Sequence, residues 1–126
     1  ARRIERIIRN LITNAVDHSE SRPIDVTAGE SDSAVSIGVR DYGIGLAKQY
    51  WSRAFDRFWR ADPSRSRIRG GTGLGLSIAK EDAILHGGDI KVWGEVGAGA
   101  NFVLTIPKKV GAPTLVPPIS EIPTTV

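Results

Sequence analysis

The sequence predicts an α+β fold, a two-layer α/β sandwich in which helices cover one face of a sheet. Two observations predict it. Apolar residues recur at helical spacing in two long segments, whereas four shorter segments alternate apolar and polar residues as strands do. The order along the chain is helix, two strands, a long loop, helix and two strands. Each strand pair can therefore meet as a hairpin while both helices gather on one face.

The first helix is predicted over residues 2–19, because seven apolar residues there share one stripe: Ile4, Ile7, Ile8, Leu11, Ile12, Ala15 and Val16. Apolar residues then alternate over 24–28 and over 35–39, with a polar turn at 30–33 between them. This pattern predicts a hairpin of two half-buried strands. The second strand runs directly into the motif DYGIG.

The second half of the chain repeats this order. A helix is predicted from the glycine cluster GGTGLGLS at residues 70–77 to about His86, where Gly87 and Gly88 are typical of a helix stop. Strands are predicted at 89–94 and 101–107. They are joined by a glycine-containing turn.

Residues 46–72 separate the two halves and lack sustained periodicity, although short helical pieces are expected at 47–52 and 53–59. This segment holds seven basic and two acidic residues, for a net charge of +5, whereas the rest of the chain carries −2. A basic loop of this length suits closure over phosphates, although a nucleic-acid contact or a merely solvated loop would look similar.

Composition limits the chemistry. The chain has 126 residues, of which 40% are hydrophobic and 25% charged, as expected of a single globular domain. It has no cysteine, which excludes disulfides and thiolate metal sites, and two histidines are too few for a histidine-built metal centre. The folded domain is expected over 1–108. The proline-rich residues 109–126 are expected to be a disordered tail.

The motif NLITNA places Asn10, Asn14 and Asp17 within about 60° of one another on a helical wheel, at the edge of the apolar stripe. An asparagine oxygen is a neutral ligand for a hard cation, and it leaves negative charge to be supplied by phosphates. This pattern suits magnesium bound through a nucleotide. Simple exposure of the two asparagines on the helix surface is the alternative.

The motif DYGIG ends a strand with Asp41 and two glycines, Gly43 and Gly45. A carboxylate on the floor of a pocket can accept a hydrogen bond from an exocyclic amine such as that of adenine. The glycines let the backbone turn sharply and approach a flat ring. The alternative is an ordinary Asp-Gly turn at a strand end.

The cluster GGTGLGLS fits neither of the common phosphate-loop templates, because Leu76 stands where a Walker loop needs lysine and where a dinucleotide fingerprint needs its last glycine. Closely spaced glycines at a helix N-terminus nevertheless expose backbone N–H groups that favour anions. A flexible hinge is the alternative, and both roles are compatible.

These three motifs, with the segment AFDRFWR between the last two, resemble in their order the ATP-binding catalytic domain of sensor histidine kinases. The resemblance covers about residues 2–107. The flanking segments RRIERIIRN, RFWRADPSR and WGEVGAGANF resemble an actinobacterial subgroup of these kinases most. The resemblance implies a Bergerat ATP-binding fold, with a mixed, mostly antiparallel sheet, helices on one face and a long ATP lid at about 46–72.

The resemblance also implies ATP and Mg²⁺ as ligands, with Asn14 coordinating the metal, Asp41 bonding the adenine amine, and Phe55 and Phe58 anchoring the lid. The ATP-binding positions that it implies are Asn10, Asn14, Asp17, His18, Asp41, Gly43, Gly45, Arg57, Arg60, Gly71, Thr72, Gly73, Leu74 and Gly75. No catalytic residue is assigned within the chain. Asp17 departs from the family, in which lysine is common at this position, and Ala100 stands where serine or threonine is frequent.

The implied reaction is transfer of the ATP γ-phosphoryl group to a histidine in two-component signalling. His18 and His86 stand outside any phosphoacceptor motif, so the acceptor is expected on a separate dimerisation domain, and this fragment alone is expected to be nearly inert. The expected partners are that domain and a cognate response regulator, without nucleic acid. The parent is expected to be a membrane-bound homodimer, and this chain to be its cytoplasmic, monomeric domain.

Other functions stay open. Within the superfamily, the alternatives are an anti-sigma serine kinase or an ATPase module of chaperone, repair or topoisomerase type, and AFDRFWR argues against both. A catalytically degenerate domain that binds only a nucleotide or a partner is a further alternative. A basic nucleic-acid module is disfavoured, because aromatic stacking residues do not accompany the basic ones in an ordered sheet.

Overall fold

The structure is a computed structural model, and it describes residues 2–56, 75–108 and 118–122. Two α-helices, four β-strands and one 3₁₀ helix form within these ranges. In chain order they are α1 (Arg2–His18), β1 (Asp25–Glu30), β2 (Ala34–Asp41), the 3₁₀ helix (Lys48–Arg53), α2 (Gly75–Leu85), β3 (Asp89–Glu95) and β4 (Gly99–Pro107). None of the described helices is long and apolar enough to cross a membrane.

The sheet has the strand order β1-β2-β4-β3, and each neighbouring pair is antiparallel. Both helices pack on the same face and against each other. The predicted α+β sandwich is therefore confirmed. No parallel pair, which a mixed sheet would require, occurs among the four described strands.

The core lies between α1, α2 and the inner face of the sheet. Ile7, Leu11 and Ala15 are fully buried along one side of α1, and they pack with inner-face residues such as Phe102 and Leu104 of β4. Each large apolar side chain buried in this way contributes about 1.5–3 kcal/mol. The predicted stripe on α1 is thus the core stripe, except that Val16 at its end is 43% exposed.

A partly buried ion pair joins the two helices. The guanidinium of Arg6 on α1 makes two bonds to Asp82 on α2, with Nε 2.7 Å from Oδ2 and Nη2 2.8 Å from Oδ1. The Asp82 side chain is almost fully buried, whereas Arg6 is half exposed. A paired arrangement of this bidentate form satisfies the buried carboxylate and fixes the rotation of one helix against the other.

The C-terminal stop of α2 follows the predicted mechanism. Gly87 has a φ of +77°, a left-handed conformation that glycine adopts without penalty. Its N–H donates to the Ile84 carbonyl, and the N–H of Gly88 donates to the Ala83 carbonyl. These two bonds are the pair that closes a helix in the Schellman motif. The chain then enters β3.

The strand β1 differs from the prediction. The alternation at 24–28 predicts a half-buried strand, yet Val26 is 55% exposed and Ala28 is exposed as well. β1 pairs only with β2 and lies at the sheet edge, beyond the reach of the helices. Alternation shows which residues share a face, but it does not show whether another element covers that face.

Of the two short helical pieces predicted after DYGIG, the first is confirmed as a 3₁₀ helix at Lys48–Arg53. The second, predicted at 53–59, is replaced up to residue 56 by a turn. The rest of that piece and most of the predicted lid, residues 57–72, lie outside the described residues. In the tail, the described residues 118–122 contact the sheet at Gly29 and Asn101.

The turn between β3 and β4 provides a matched test of the fold. Gly97 and Gly99 both have positive φ values, +84° and +91°. A Cβ at Gly99 would lie 2.0 Å from the Asp41 carbonyl oxygen, whereas a Cβ at Gly97 would meet nothing within 4 Å. Gly97→Ala should therefore cost only the left-handed penalty of about 1 kcal/mol. Gly99→Ala should cost roughly 3 kcal/mol or more, because backbone must also move.

Urea denaturation of both variants measures the difference. Equal losses of unfolding free energy in the two variants would show that the close approach of Gly99 to β2 is not a constraint.

Candidate functional site

The strongest candidate for a functional group is the carboxylate of Asp41, at the end of β2. The residue is 1% exposed, and Asp41 Oδ1 accepts a hydrogen bond from the Gly43 N–H at 3.0 Å. Burial raises the pKa of Asp41 above its ordinary value. Backbone hydrogen bonds from Gly43 and Ala100 and the nearby charges of His18 and Arg40 act in the opposite direction.

The backbone after Asp41 passes directly beneath the last turn of α1. A Cβ at Gly43 would lie 1.6 Å from the His18 carbonyl oxygen, so only glycine fits there. The N–H of Ile44 donates to the same oxygen at 3.3 Å. This contact fixes the end of the asparagine-bearing helix against the end of β2, and it brings two of the predicted motifs together.

The second glycine of DYGIG packs on the opposite side, against the turn between β3 and β4. Gly45 has a φ of +83°, and a Cβ there would lie 1.9 Å from the Glu95 carbonyl oxygen. The Ile44 carbonyl accepts from the Gly97 N–H at 3.0 Å. The segment after Asp41 is therefore held between α1 and a glycine turn, as a narrow shelf of backbone.

On α1, the predicted site residues Asn10, Asn14, Asp17 and His18 are all half-buried, at the edge of the core stripe. The Nδ1 of His18 lies 2.8 Å from the Asn14 carbonyl oxygen. Because a carbonyl oxygen only accepts, Nδ1 carries a proton in this contact.

The first residue of α2 approaches α1 at Asn10. A Cβ placed on Gly75 would lie 3.9 Å from the Asn10 side-chain oxygen. The C-terminal part of the third motif, GGTGLGLS, therefore lies next to the first residue of the first motif, NLITNA. The described contacts thus join α1 to Gly43 through His18 and to Gly75 through Asn10. Asn14 and Asp17 lie on the same helix edge, and Asp41 and Gly45 lie on the segment that contains Gly43.

Six of the predicted site residues lie outside the described residues: Arg57, Arg60, Gly71, Thr72, Gly73 and Leu74. The same is true of Phe58. Phe55 is described, and its ring packs edge-to-face on Phe102, with centroids 5.9 Å apart and planes at 86°. The start of the predicted lid is thus attached to the central strand β4.

Two residues with structural contacts near the site, Trp51 and Lys80, were not predicted from the sequence. The indole N–H of Trp51 donates to the carbonyls of Leu46 and Gly94, at 3.2 and 3.1 Å, and so fixes the 3₁₀ helix to β3. Lys80 of α2 donates to the Ile90 carbonyl at 2.8 Å, and its Nζ lies 4.7 Å from the Phe55 ring centroid. The sequence offered one indication for Lys80, because this lysine lies among the mostly apolar residues of the first half of α2.

On the sheet face opposite the helices, Arg40 stacks on two aromatic rings beside DYGIG. The Arg40 guanidinium carbon lies 4.5 Å from the Tyr42 ring centroid and 5.0 Å from that of Trp93, and Nη2 donates to the Ala98 carbonyl at 3.1 Å. The Tyr42 hydroxyl donates to Asp25. These contacts are cation–π and hydrogen-bonded supports of the strand end, on the face opposite the helices.

The described site offers oxygen acceptors on α1 and at the end of β2. In the described ranges, no three histidine, aspartate or glutamate side chains converge on a possible metal ion. On α1, Asn10 and Asn14 offer amide oxygens and Asp17 a carboxylate, and Asp41 is a buried acceptor at the end of β2. An exocyclic amine is a group that can donate a hydrogen bond to such a carboxylate.

Comparison with known proteins agrees with this geometry. The family model described as histidine kinase-, DNA gyrase B- and HSP90-like ATPase matches residues 1–110. The sensor histidine kinase MtrB of Mycobacterium leprae is 56% identical over 107 residues, which are 85% of this chain and 19% of that protein. The sensor-like histidine kinase SenX3 of Mycolicibacterium smegmatis is 42% identical over 102 residues, 80% of this chain and 27% of the relative.

Solved structures give the same result. Full-length ShkA in complex with AMPPNP matches with a TM-score of 0.73 and 32% identity, over 89% of this chain and 23% of that one. The catalytic domain of the histidine kinase ThkA, in a nucleotide-free form, matches with a TM-score of 0.69 and 28% identity, over 84% and 67% of the two chains. The resemblance seen in the sequence, including its MtrB-type subgroup, is confirmed.

The chain spans about a fifth of the length of the MtrB relatives that it matches.

The burial of Asp41 leads to a prediction about stability. The folded chain holds the Asp41 proton more tightly than the unfolded chain does, so this group's contribution to stability falls as the pH rises from about the ordinary value of 3.8 through the raised pKa. Asp41→Asn keeps an acceptor oxygen for the Gly43 N–H and removes the charge. The variant should therefore have the higher Tm at neutral pH, and the gap should close as the pH falls.

Thermal unfolding between pH 3.5 and 8 checks this expectation. Asp32→Asn, which changes an exposed carboxylate in the turn between β1 and β2, is the matched control and should show no such pH-dependent gap. A lower Tm for Asp41→Asn at neutral pH would contradict the assignment.

Proposed function

Because the chain belongs to the family of histidine kinase-, DNA gyrase B- and HSP90-like ATPases, we propose that it binds Mg-ATP and donates the γ-phosphoryl group to a histidine on a separate dimerisation domain. Its relatives in the comparison are sensor histidine kinases, so an ATP-binding kinase domain of two-component signalling is the supported class. The observation that carries the finer proposal is Asp41, a buried carboxylate beside a shelf of glycine backbone.

In the proposed complex, Asp41 accepts a hydrogen bond from the exocyclic amine of adenine. The burial that disfavours its charge also excludes water, so a charge-assisted hydrogen bond there is worth more than one in solvent. Gly43 and Gly45 let the backbone after Asp41 pack closely against α1 and Glu95, which would fix the position of the carboxylate for this contact. Guanine carries a carbonyl instead of this amine, so the same carboxylate disfavours it.

The phosphates are proposed to lie toward α1 and the start of α2. Asn14 would hold Mg²⁺ through its side-chain oxygen, and Asn10 would contact the phosphates beside Gly75. Bound there, the ion would neutralise charge on the transferring phosphoryl group. Support comes from the neutral amide donors, which suit a cation already surrounded by phosphate oxygens. The other ATP positions implied by the family resemblance complete the proposed site.

The acceptor and the partners follow from the same proposal. The two histidines of the described chain have structural contacts, because the ring nitrogens of His18 and His86 each meet a backbone carbonyl four residues earlier. We therefore place the phosphoacceptor on the protein's own dimerisation domain, with a response regulator as the next acceptor. The intact protein is proposed to be a membrane-bound homodimer with this domain in the cytoplasm, and the domain alone to be monomeric and nearly inert.

The adenine contact predicts that Asp41→Asn weakens ATP binding by about 10- to 100-fold, because the charge-assisted hydrogen bond is lost. Calorimetric titration with ATP and with GTP measures it, and Asp32→Asn is again the control. The discrimination between ATP and GTP should shrink in the Asp41 variant. Unchanged ATP affinity would remove Asp41 from the base pocket.

Phosphoryl transfer is tested by mixing this domain with the histidine-bearing domain of its parent and with ATP labelled at the γ-phosphate. Label should appear on the acceptor histidine, as an acid-labile and base-stable phosphoramidate, and only when both domains are present. Tight ATP binding without any label transfer would favour a degenerate, binding-only domain instead.

The metal assignment predicts that Asn14→Ala removes most of the Mg²⁺ dependence of ATP binding. The amide oxygen is the proposed protein ligand of the ion, and alanine provides none. ATP titrations with Mg²⁺ and with a chelator give the ratio of the two affinities for each variant. Thr13→Ala, at an exposed neighbouring position on α1, is the matched control. An Asn14 variant with the full Mg²⁺ effect would exclude this residue as a ligand.

A further inference from the structure

The face of the sheet that points away from the helices, called here the outer face, contains a shallow trough of small residues. Gly29 of β1 lies opposite Ser36 of β2, and Gly38 of β2 lies opposite Thr27 of β1. The Ser36 hydroxyl and the Thr105 hydroxyl of β4 are hydrogen-bonded to each other at 2.8 Å. No long side chain therefore rises from this part of the outer face.

The outer face is nevertheless protected from solvent. Ser36, Val103 and Thr105 are 0%, 2% and 3% exposed, although they point away from both helices. A single sheet layer cannot bury its own outer side chains, because burial needs a second layer. Some other part of the chain must supply this layer.

Residues 118–122 are the described segment that lies on this face. A Cβ placed on Gly29 would lie 3.0 Å from Cγ1 of Ile119 and 3.9 Å from Cβ of Pro118, so these two side chains fill the space above the glycine. At the other end of the segment, the Asn101 side-chain amide of β4 donates to the Glu121 carbonyl at 3.0 Å. The segment therefore makes an apolar contact with β1 and a polar contact with β4. These two contacts define where the segment lies on the sheet and in which direction it runs.

The same chain can supply this segment without strain. The end of β4 is fixed near β1, where Lys108 Nζ lies 2.8 Å from a Glu30 carboxylate oxygen and the Lys108 N–H donates to the Ser33 carbonyl. Nine residues, 109–117, connect Lys108 to Pro118. Both ends of this connection lie beside the same end of β1. Closing so short a loop costs little entropy.

We propose that the outer face is a docking surface whose occupant is the chain's own C-terminal segment, Pro118–Ile122. Ile119 occupies the trough at Gly29, and Asn101 recognises the backbone of Glu121. The docked segment is a second layer of the fold on the side opposite the helices. The folded unit therefore extends to residue 122 rather than ending at 108.

Protection of a single peptide bond tests this proposal on the full chain. A glutamyl endopeptidase cleaves after Glu121, the residue whose carbonyl Asn101 binds, and intact mass reports loss of the last five residues. Gly29→Val fills the trough, and Asn101→Ala removes the amide donor. Both changes lie far from the scissile bond in sequence, so they leave the protease's own preference unchanged. Each should accelerate cleavage by on the order of 10-fold, because proteolysis follows the population of the open form.

Ala28→Val is the matched control. It makes a similar change on the same strand, but the side chain points to the opposite face, where Ala28 is exposed. This variant should keep the wild-type cleavage rate. Equal rates for wild type, Gly29→Val and Asn101→Ala would overturn the proposal. So would faster cleavage in Ala28→Val, which would report loosening of β1 alone.

The occupant is checked by repeating the wild-type assay over a 50-fold range of protein concentration, at a fixed concentration of protease. A segment docked within its own chain gives the same protection throughout. Protection that grows with concentration would assign the contact to a second copy and overturn the intramolecular assignment.

Discussion

The close approach of backbone to backbone at the end of β2 is the constraint on which the site depends. Gly43, Gly45 and Gly99 each lie where a Cβ would come within about 2 Å of a carbonyl oxygen on a neighbouring element. These contacts join the last turn of α1, the end of β2 and the turn between β3 and β4. With larger residues at these positions the three elements would separate, and the carboxylate between them would become exposed to water.

That carboxylate illustrates how stability and function oppose each other in this domain. Asp41 is buried in a position where its charge is disfavoured, and backbone N–H groups only partly compensate. A neutral residue of the same shape would make the fold more stable at neutral pH. A buried carboxylate whose pKa is raised by its surroundings is a pattern common at ligand sites. The proposed adenine amine would add a further hydrogen-bond donor to it.

Local patterns in the sequence predicted the helices, the strand positions and the glycine stop of α2, because each depends on residues a few positions apart. Strand order was not predictable in this way, since β4 pairs with β2 across about sixty intervening residues. Trp51 and Lys80 were missed for the same reason, because their partners are backbone carbonyls of β3 and of the segment before the 3₁₀ helix. The Asp41 motif was recognisable, but its burial depends on elements far away in the sequence.

The exposure of β1 has a consequence for the dynamics of the domain. This strand contributes a ladder of hydrogen bonds to β2 but almost no buried apolar surface, and free energy of local opening follows buried contacts. In native-state hydrogen exchange, the amides of β1 should therefore exchange through local openings well below the global unfolding free energy, while those of β2 and β4 exchange near it. We therefore expect the sheet edge to open and close as a separate unit while the carboxylate at the end of β2 stays in place.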